Sequence, residues 1–547
     1  MLGWACDFET HTGPDVTWVW AWGSSLIDNP NNFIYGNSIN SFLAWAKNKR
    51  KIFFHNLKFD GAFILDALSR LGWVYTHNHP KRPKQFSALI SSSGLWYKIT
   101  LKFRNSKLEI FDSLKKLPMS ISTIAKTFNL PIKKGSIDYS LYRPEGHPIS
   151  PDDLDYLKTD CQILAMALKT LFENDLSKMT IGSDAMNWFK RFNTNFNTLF
   201  PTLDPQIDKE CRSAYKGGWV YCAKPGDYNG SICFDVNSLY PYVMFSYPLP
   251  CGQPLWFDGP YTLDADYPLF IISFYADFKL KPGMLPTLQL KHSRWHCDTD
   301  YITEHQGLAL QEPVTMTSVD YELFLKHYDV FECSFIGGYK FKQINHVFND
   351  YISHWMHIKE TSFGGKRTLA KLMLNSLYGK FGKNPDTTRK DVAFYDNKIH
   401  TLTAQKELSD TVYVPLAAFV TAYARQHTIC AAQQNFGRFI YADTDSLHLM
   451  GHDMPEHVEI HDSKLGAWKI EYCAVRSRYL KPKRYMVEIS PQPGISKISV
   501  TCAGMPDNIK KQVNWSNFVI GQHFNGKLVH SIVPGGAVLI PTSFKLS

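Results

Sequence analysis

No two cysteines of this chain stand as a C-x-x-C pair; the eleven present are scattered singly. That spacing excludes a zinc knuckle and a secreted disulfide framework, and implies core thiols in a reducing cytosol. The one His/Cys grouping, "HSRWHC" from His292 to Cys297, has no second half to complete a metal site and reads as structural. Long apolar runs are missing too. The longest, Val412 to Ala424, is too short to span a bilayer and is broken by Pro415. The opening "MLGWACDFET" has an acid at position 7 and no basic start or cleavage-site pattern. No signal peptide is therefore expected, and the protein is expected to be neither secreted nor membrane-spanning. Repeats and low-complexity tracts are absent. Charge of one sign is barely in excess: 59 Lys and Arg against 50 Asp and Glu, or +9. A polyanionic partner and ordinary solubility explain that number equally well.

What is present is a 547-residue chain, 44% apolar and 20% charged, long enough for several domains with buried cores. Roughly the first 170 residues alternate β-like runs ("WVWAWG", "KIFFHN", "LEIFDSL") with helical ones, an α/β pattern. From Tyr247 to about Ile344, proline and turn residues suggest an irregular β-containing insertion. A helix is expected over "GGKRTLAKLMLNSLYGKF", then a polar turn-rich segment near Asp386 to Asp410, another helix, and a hairpin at "YADTDS". Strands and loops around Gly and Pro fill the end.

Acids recur in a pattern. "CDFET" puts Asp7 and Glu9 two apart on a strand, so both side chains leave one face. "HNLKFDGAF" gives Asn56 and Asp60 where an apolar strand enters a helix. "YLKTD" gives Tyr156 and Asp160, four apart on one helical face. Four acids from three elements can converge if two divalent ions, roughly 3.5–4 Å apart, relieve their repulsion. Oxygen-only ligands point to Mg²⁺ or Mn²⁺ rather than zinc, and Tyr156 is placed to orient an attacking water. This ordered set, D-x-E, N-x-x-x-D and Y-x-x-x-D, resembles the Exo motifs of DnaQ-type 3′–5′ proofreading exonucleases.

A second group lies further along. "FDVNSLYP" contains Asp235, Ser238 and Tyr240, and "YADTDS" contains Asp443 and Asp445. The spacing puts the last two on one face of a strand–turn element, where with Asp235 they would share two hard cations bearing a triphosphate. In "KLMLNSLYG", Lys371, Asn375 and Tyr378 form one helical stripe closed by Gly379. The lysine would neutralise phosphate oxygens, and the tyrosine ring would face base and sugar. These three segments resemble motifs A, B and C of family B DNA polymerases. "TAYAR" (Thr421, Arg425), "KRY" (Lys483, Tyr485) and "YKGG" (Tyr215, Gly217, Gly218) resemble further motifs of that family. "DSLKKLP" (Ser113, Leu114) and "KGSI" (Lys134) resemble those of its protein-primed branch in phi29-type phages. Against that branch's pattern the N-terminus is trimmed, the stretch after Tyr485 is shorter, and alanine replaces a usual cysteine in "YADTDS".

The resemblance implies an α+β multidomain fold: a ribonuclease-H-like exonuclease domain, then a right-hand polymerase domain with two terminal protein region insertions. The implied segments are exonuclease 1–180, palm 181–246 and 412–502, and thumb 503–547. The first insertion would cover 247–345, the fingers 346–382 and the second insertion 383–411. It implies protein-primed synthesis with strand displacement and proofreading, two Mg²⁺ or Mn²⁺ ions per site, in the cytoplasm of an infected bacterium. Implied partners are double- and single-stranded DNA, deoxynucleoside triphosphates and a terminal protein bound as a heterodimer during initiation, with a monomer otherwise. Asp235, Asp443 and Asp445 would serve synthesis; Asp7, Glu9, Asp60, Asp160 and Tyr156 would serve editing. Tyr240, Lys359, Arg367, Lys371, Asn375 and Tyr378 would bind the nucleotide. DNA contacts would come from Thr10, His55, Asn56, Phe59, Phe63, Ser113, Leu114, Lys134 and Tyr139. Tyr215, Gly217, Gly218, Ser238, Thr421, Arg425, Lys483 and Tyr485 would add to them. The rival readings are a family B polymerase needing no terminal protein, and a nuclease or binding protein with an inactive polymerase half.

Overall fold

The computed structural model describes every residue except 1–2, 12, 14, 140, 291–299 and 493–494, so the His292–Cys297 grouping lies outside the described residues. The N-terminal part is built on an eight-stranded mixed sheet. At its centre Trp4–Thr10 runs parallel to Lys51–Phe54, which runs parallel to Lys107–Asp112. Strand alternation sorts the first strand's side chains between two covers. Trp4, Cys6 and Phe8 enter the core beneath helix Leu57–Arg70, while Ala5 packs toward helix Pro151–Glu173. Asp7 and Glu9 have the parity of Ala5, so they face the helix that carries Tyr156 and Asp160.

A second, wholly antiparallel sheet holds the other acids. Strand Ser231–Val236 lies between Ser446–Met450 and Trp468–Lys481. Helix Val414–Gln434 packs against this sheet, buried on nearly every side, as its continuous apolar sequence requires. Among the described residues no helix is long and apolar enough to cross a membrane.

The segment expected to be irregular is instead a regular five-stranded antiparallel sheet with a core of its own, including Phe274, Phe278, Phe324 and Tyr328. Its long strands Leu269–Leu280 and Tyr328–Ile344 pair almost throughout, and the prolines that obscured them fall in the connections. Gly338 permits that pairing, because a Cβ there would stand 2.0 Å from the Ile271 carbonyl oxygen. The polar segment near 386–410 forms a hairpin, Lys390–Tyr395 with Lys398–Thr403. Asp396 and Asn397 both take positive φ at its tip, the geometry that Asp and Asn tolerate in a tight two-residue turn. A last hairpin, His523–Val533 with Gly536–Lys545, closes the chain. Both tips rest on helix Leu57–Arg70: Arg70 donates to Asn397, and the Gly535 N–H donates to Asp66.

Candidate active sites

The first four acids line a cavity of about 680 Å³ with Asn56, Phe59 and Lys134. Burial and the charge of Asp160 push the Asp7 carboxyl up to about 7. Burial and the Asp7 charge hold Glu9 and Asp60 well above the usual carboxylate range. Asp160 is also raised by burial, against the pull of Lys134. One Asp160 oxygen takes the Lys134 ammonium, and the other is buried with no hydrogen-bond partner. Four crowded carboxylates, one with an orphaned oxygen, fit hard divalent cations.

Local structure places the rest. Asn56 takes a left-handed backbone at φ 74° where the strand enters the helix, and its N–H donates to Asp112. Thr10, His55, Tyr139 and Tyr156 line the same cavity, with the two tyrosine hydroxyls 3.4 Å apart. Three expected DNA contacts lie elsewhere. Ser113 is fully buried, donates to the Phe54 carbonyl and braces His55 at 3.0 Å. Leu114 gives its N–H to Asp112. Phe63 is buried under Gly536 and faces a neighbouring hollow. Sequence reasoning missed Lys58 and the wall formed by Leu528, His530 and Leu539, which come from the C-terminal hairpin with no local motif to announce them.

The second cavity, about 560 Å³, is lined by Asp235, Asp445, Tyr240, Lys371, Asn375 and Tyr378, joined by Ser238, Lys359 and Arg367. Burial and the Asp235 charge push Asp445 up to about 6. Asp235 is raised by burial against Lys469, whose ammonium stands 3.3 Å away. Burial and the charges of Lys371, Arg367 and Lys469 hold the Lys359 ammonium below its usual value, so these cations converge as an anion site would require. Lys359 donates to Ser238 at 2.9 Å. The Tyr240 and Tyr378 rings stack at 4.1 Å. Lys469, also missed, lies directly opposite Asp235 in the strand register, so the alternation of "WKIEY" was its available signal.

One expectation needs correction, the motif B helix, and Asp443, Thr421 and Arg425 stand outside the two cavities. Asp443 does not share the cavity with Asp445; Thr444 turns between them at φ 62°, and both Asp443 oxygens accept from Lys483 at 2.7 Å. The motif B stripe is not one helix closed by Gly379: Gly364–Ser376 ends first, and Gly379 lies inside a short second helix, Tyr378–Phe381. Thr421 and Arg425 do not face either cavity. Thr421 bonds back to its own helix, while buried Arg425 is occupied by Asp320 and the carbonyls of Lys216 and Gly217. Tyr215 packs on Gly382, Gly218 on Thr444, and Tyr485 on Tyr479. Among the described residues no three carboxylate, imidazole or thiol groups close on one point, and Lys134, Lys469 and Lys483 pair with Asp160, Asp235 and Asp443.

The family of type B DNA polymerases, organellar and viral, matches residues 44–149 and 142–463. The chain is 41% identical to the DNA polymerase of Bacillus phage PZA over 99% of both, and 34% identical to that of Streptococcus phage Cp-1 over 99% of this chain and 98% of the other. The chain therefore belongs to the type B DNA polymerases. Within them it falls among the polymerases of the phi29-type phages. The solved phi29 DNA polymerase with primer-template DNA and incoming nucleotide superposes with a TM-score of 0.93 at 40% identity, covering 100% of this chain and 99% of that one.

Proposed function

We propose that the protein replicates a linear phage genome from a protein primer, displacing the opposite strand and proofreading its own product. The observation that carries this reading is the pair of separate acid pockets, one facing converging cations and the other lined by rings with Lys58 and Lys134. In this reading the five-stranded insertion receives the terminal protein, and exposed Trp256, Leu263 and Phe331 support a docking role for it. Residues 346–382 are the fingers, the antiparallel sheet is the palm, the C-terminal hairpin belongs to the thumb, and the Lys390–Thr403 hairpin closes the path of the template.

For synthesis, Asp235 and Asp445 would hold Mg²⁺ or Mn²⁺, with Asp443 in support once released by Lys483. Such ions supply positive charge to the primer hydroxyl and the departing pyrophosphate. Lys359, Arg367 and Lys371 bind the triphosphate, Asn375 lines its approach, Tyr240 sits beneath the sugar and Tyr378 packs on the new base pair. For editing, Asp7, Glu9, Asp60 and Asp160 would hold the second set of ions, Tyr156 would orient water, and Asn56 and Phe59 would hold the frayed 3′ end.

Asp445→Ala is expected to abolish nucleotide addition and spare single-strand degradation; Asp7→Ala is expected to do the reverse. Either variant retaining both activities sinks the corresponding assignment. Deleting residues 386–408 is expected to remove strand displacement while primer extension persists, read from product length on a primed circle. Omitting the terminal protein is expected to abolish initiation on unprimed genome ends.

A further inference from the structure

Behind the aspartate turn lies a fully buried imidazole that neither pocket uses. His448 sits on strand Ser446–Met450, boxed by the rings of Tyr441, Tyr472, Tyr479 and Tyr485 at 5.1 to 6.2 Å. Its Nδ1 is 2.9 Å from the Tyr479 hydroxyl, and its Nε2 is 3.3 Å from Ser446 Oγ. Ser446 in turn accepts the Asp443 N–H at 3.1 Å, and its hydroxyl donates to the Asp443 carbonyl at 3.4 Å.

An imidazole protonated at Nε2 satisfies this chain, with the Tyr472 hydroxyl a second neighbour of Nδ1 at 3.4 Å. The Ser446 hydroxyl proton goes to the Asp443 carbonyl, so its lone pairs receive the Asp443 N–H and a proton from Nε2. Nδ1 then carries a lone pair, and Tyr479 O–H donates to it. Burial keeps the ring neutral, as one donor and one acceptor require. The Asp443–Ser446 turn, with Thr444 at φ 62°, is thus pinned from behind by one imidazole. Cys233, on the strand that bears Asp235, also reaches the ring at 3.5 Å.

We propose that His448 is a positioning residue for nucleotide addition, fixing through Ser446 the turn that aims Asp445 beside Asp235. The proposal rests on the reading of those aspartates as metal-holding groups. It assigns His448 no contact with substrate or ion.

The test compares His448→Phe, His448→Gln and Tyr479→Phe in the full chain, with single-strand degradation by the same samples as the measure of folding. Phe keeps the bulk and loses both bonds. It should lower the rate of addition at saturating nucleotide by about 10- to 100-fold and raise the Mg²⁺ concentration for half-maximal activity, with degradation intact. Gln, able to donate to Ser446, should recover much of the loss, and Tyr479→Phe should move both readouts less in the same direction. Unchanged rate and Mg²⁺ dependence in His448→Phe overturns the proposal, as does a Gln variant no better than Phe. Should His448→Phe lose degradation too, Tyr479→Phe decides, and its parity with the parent protein overturns the proposal. Asp445→Ala is run alongside: its activity would overturn the metal reading instead.

Discussion

Asp7 is a partly buried carboxyl set among three others, and its raised pKa has a thermodynamic consequence. A group that holds its proton more tightly when folded stabilises the fold at low pH, and this contribution fades as the pH rises from its ordinary 3.8 through about 7. In chelator, the melting temperature should therefore fall between pH 5 and pH 8, and added Mg²⁺ should raise it more at the upper end. Asp7→Asn should raise the chelated protein's melting temperature at pH 8 by roughly 1–3 °C while abolishing degradation. Calorimetry with and without the ion checks both. At this scale the sequence was most legible. D-x-E on a strand and Y-x-x-x-D on a helix convert spacing into facing by periodicity alone. His530 was not legible, since its partner Phe59 lies hundreds of positions away and only a docked hairpin brings it near, while for Lys469 strand alternation signalled the facing but not the partner Asp235.

Elements were legible where one period ran unbroken, as in helix Pro151–Glu173, and obscured where loops dominated composition. The five-stranded insertion read as irregular because prolines crowd its connections and its first strand, Leu249–Asp258, while its two long strands carry the order. Gly338→Ala should destabilise it by about 1–3 kcal/mol, the order expected of an overpacked site, and denaturant unfolding would measure this. The Lys390–Thr403 hairpin is anchored by His77, whose ring nitrogens lie 2.6 Å from Asp391 and from Glu407. Hydrogen bonds to Asp391 and then Glu407 raise its pKa, while Glu407 is held down at about 2 and stays ionised. The anchor's contribution is full below the ordinary histidine value and is lost as pH rises through the raised one. Proteolysis within 386–408 should therefore be faster at pH 9 than at pH 6, and His77→Asn should remove most of that difference.

Across the whole molecule, one ion pair serves two distant hairpins. Asp66 holds Arg70 at 2.6 Å; Arg70 holds the Asn397 tip and Asp66 the Gly535 tip. Arg70→Ala should loosen the Asn397 tip directly and the Gly535 tip through Asp66, shortening processive products severalfold while single-nucleotide addition is unchanged. Gel analysis of products under a DNA trap separates the two. No local pattern foretold this arrangement, because it joins positions 66, 397 and 535 through tertiary docking alone.

The wall that Leu528, His530 and Leu539 lend to the first acid cavity bears on how the chain is made. A growing polypeptide that has emerged only through residue 500 already carries Asp7, Glu9, Asp60 and Asp160, yet their chamber stands open on one side. In the proposed function, the pocket for trimming DNA ends is therefore walled only once a hairpin hundreds of positions downstream of its acids has been made.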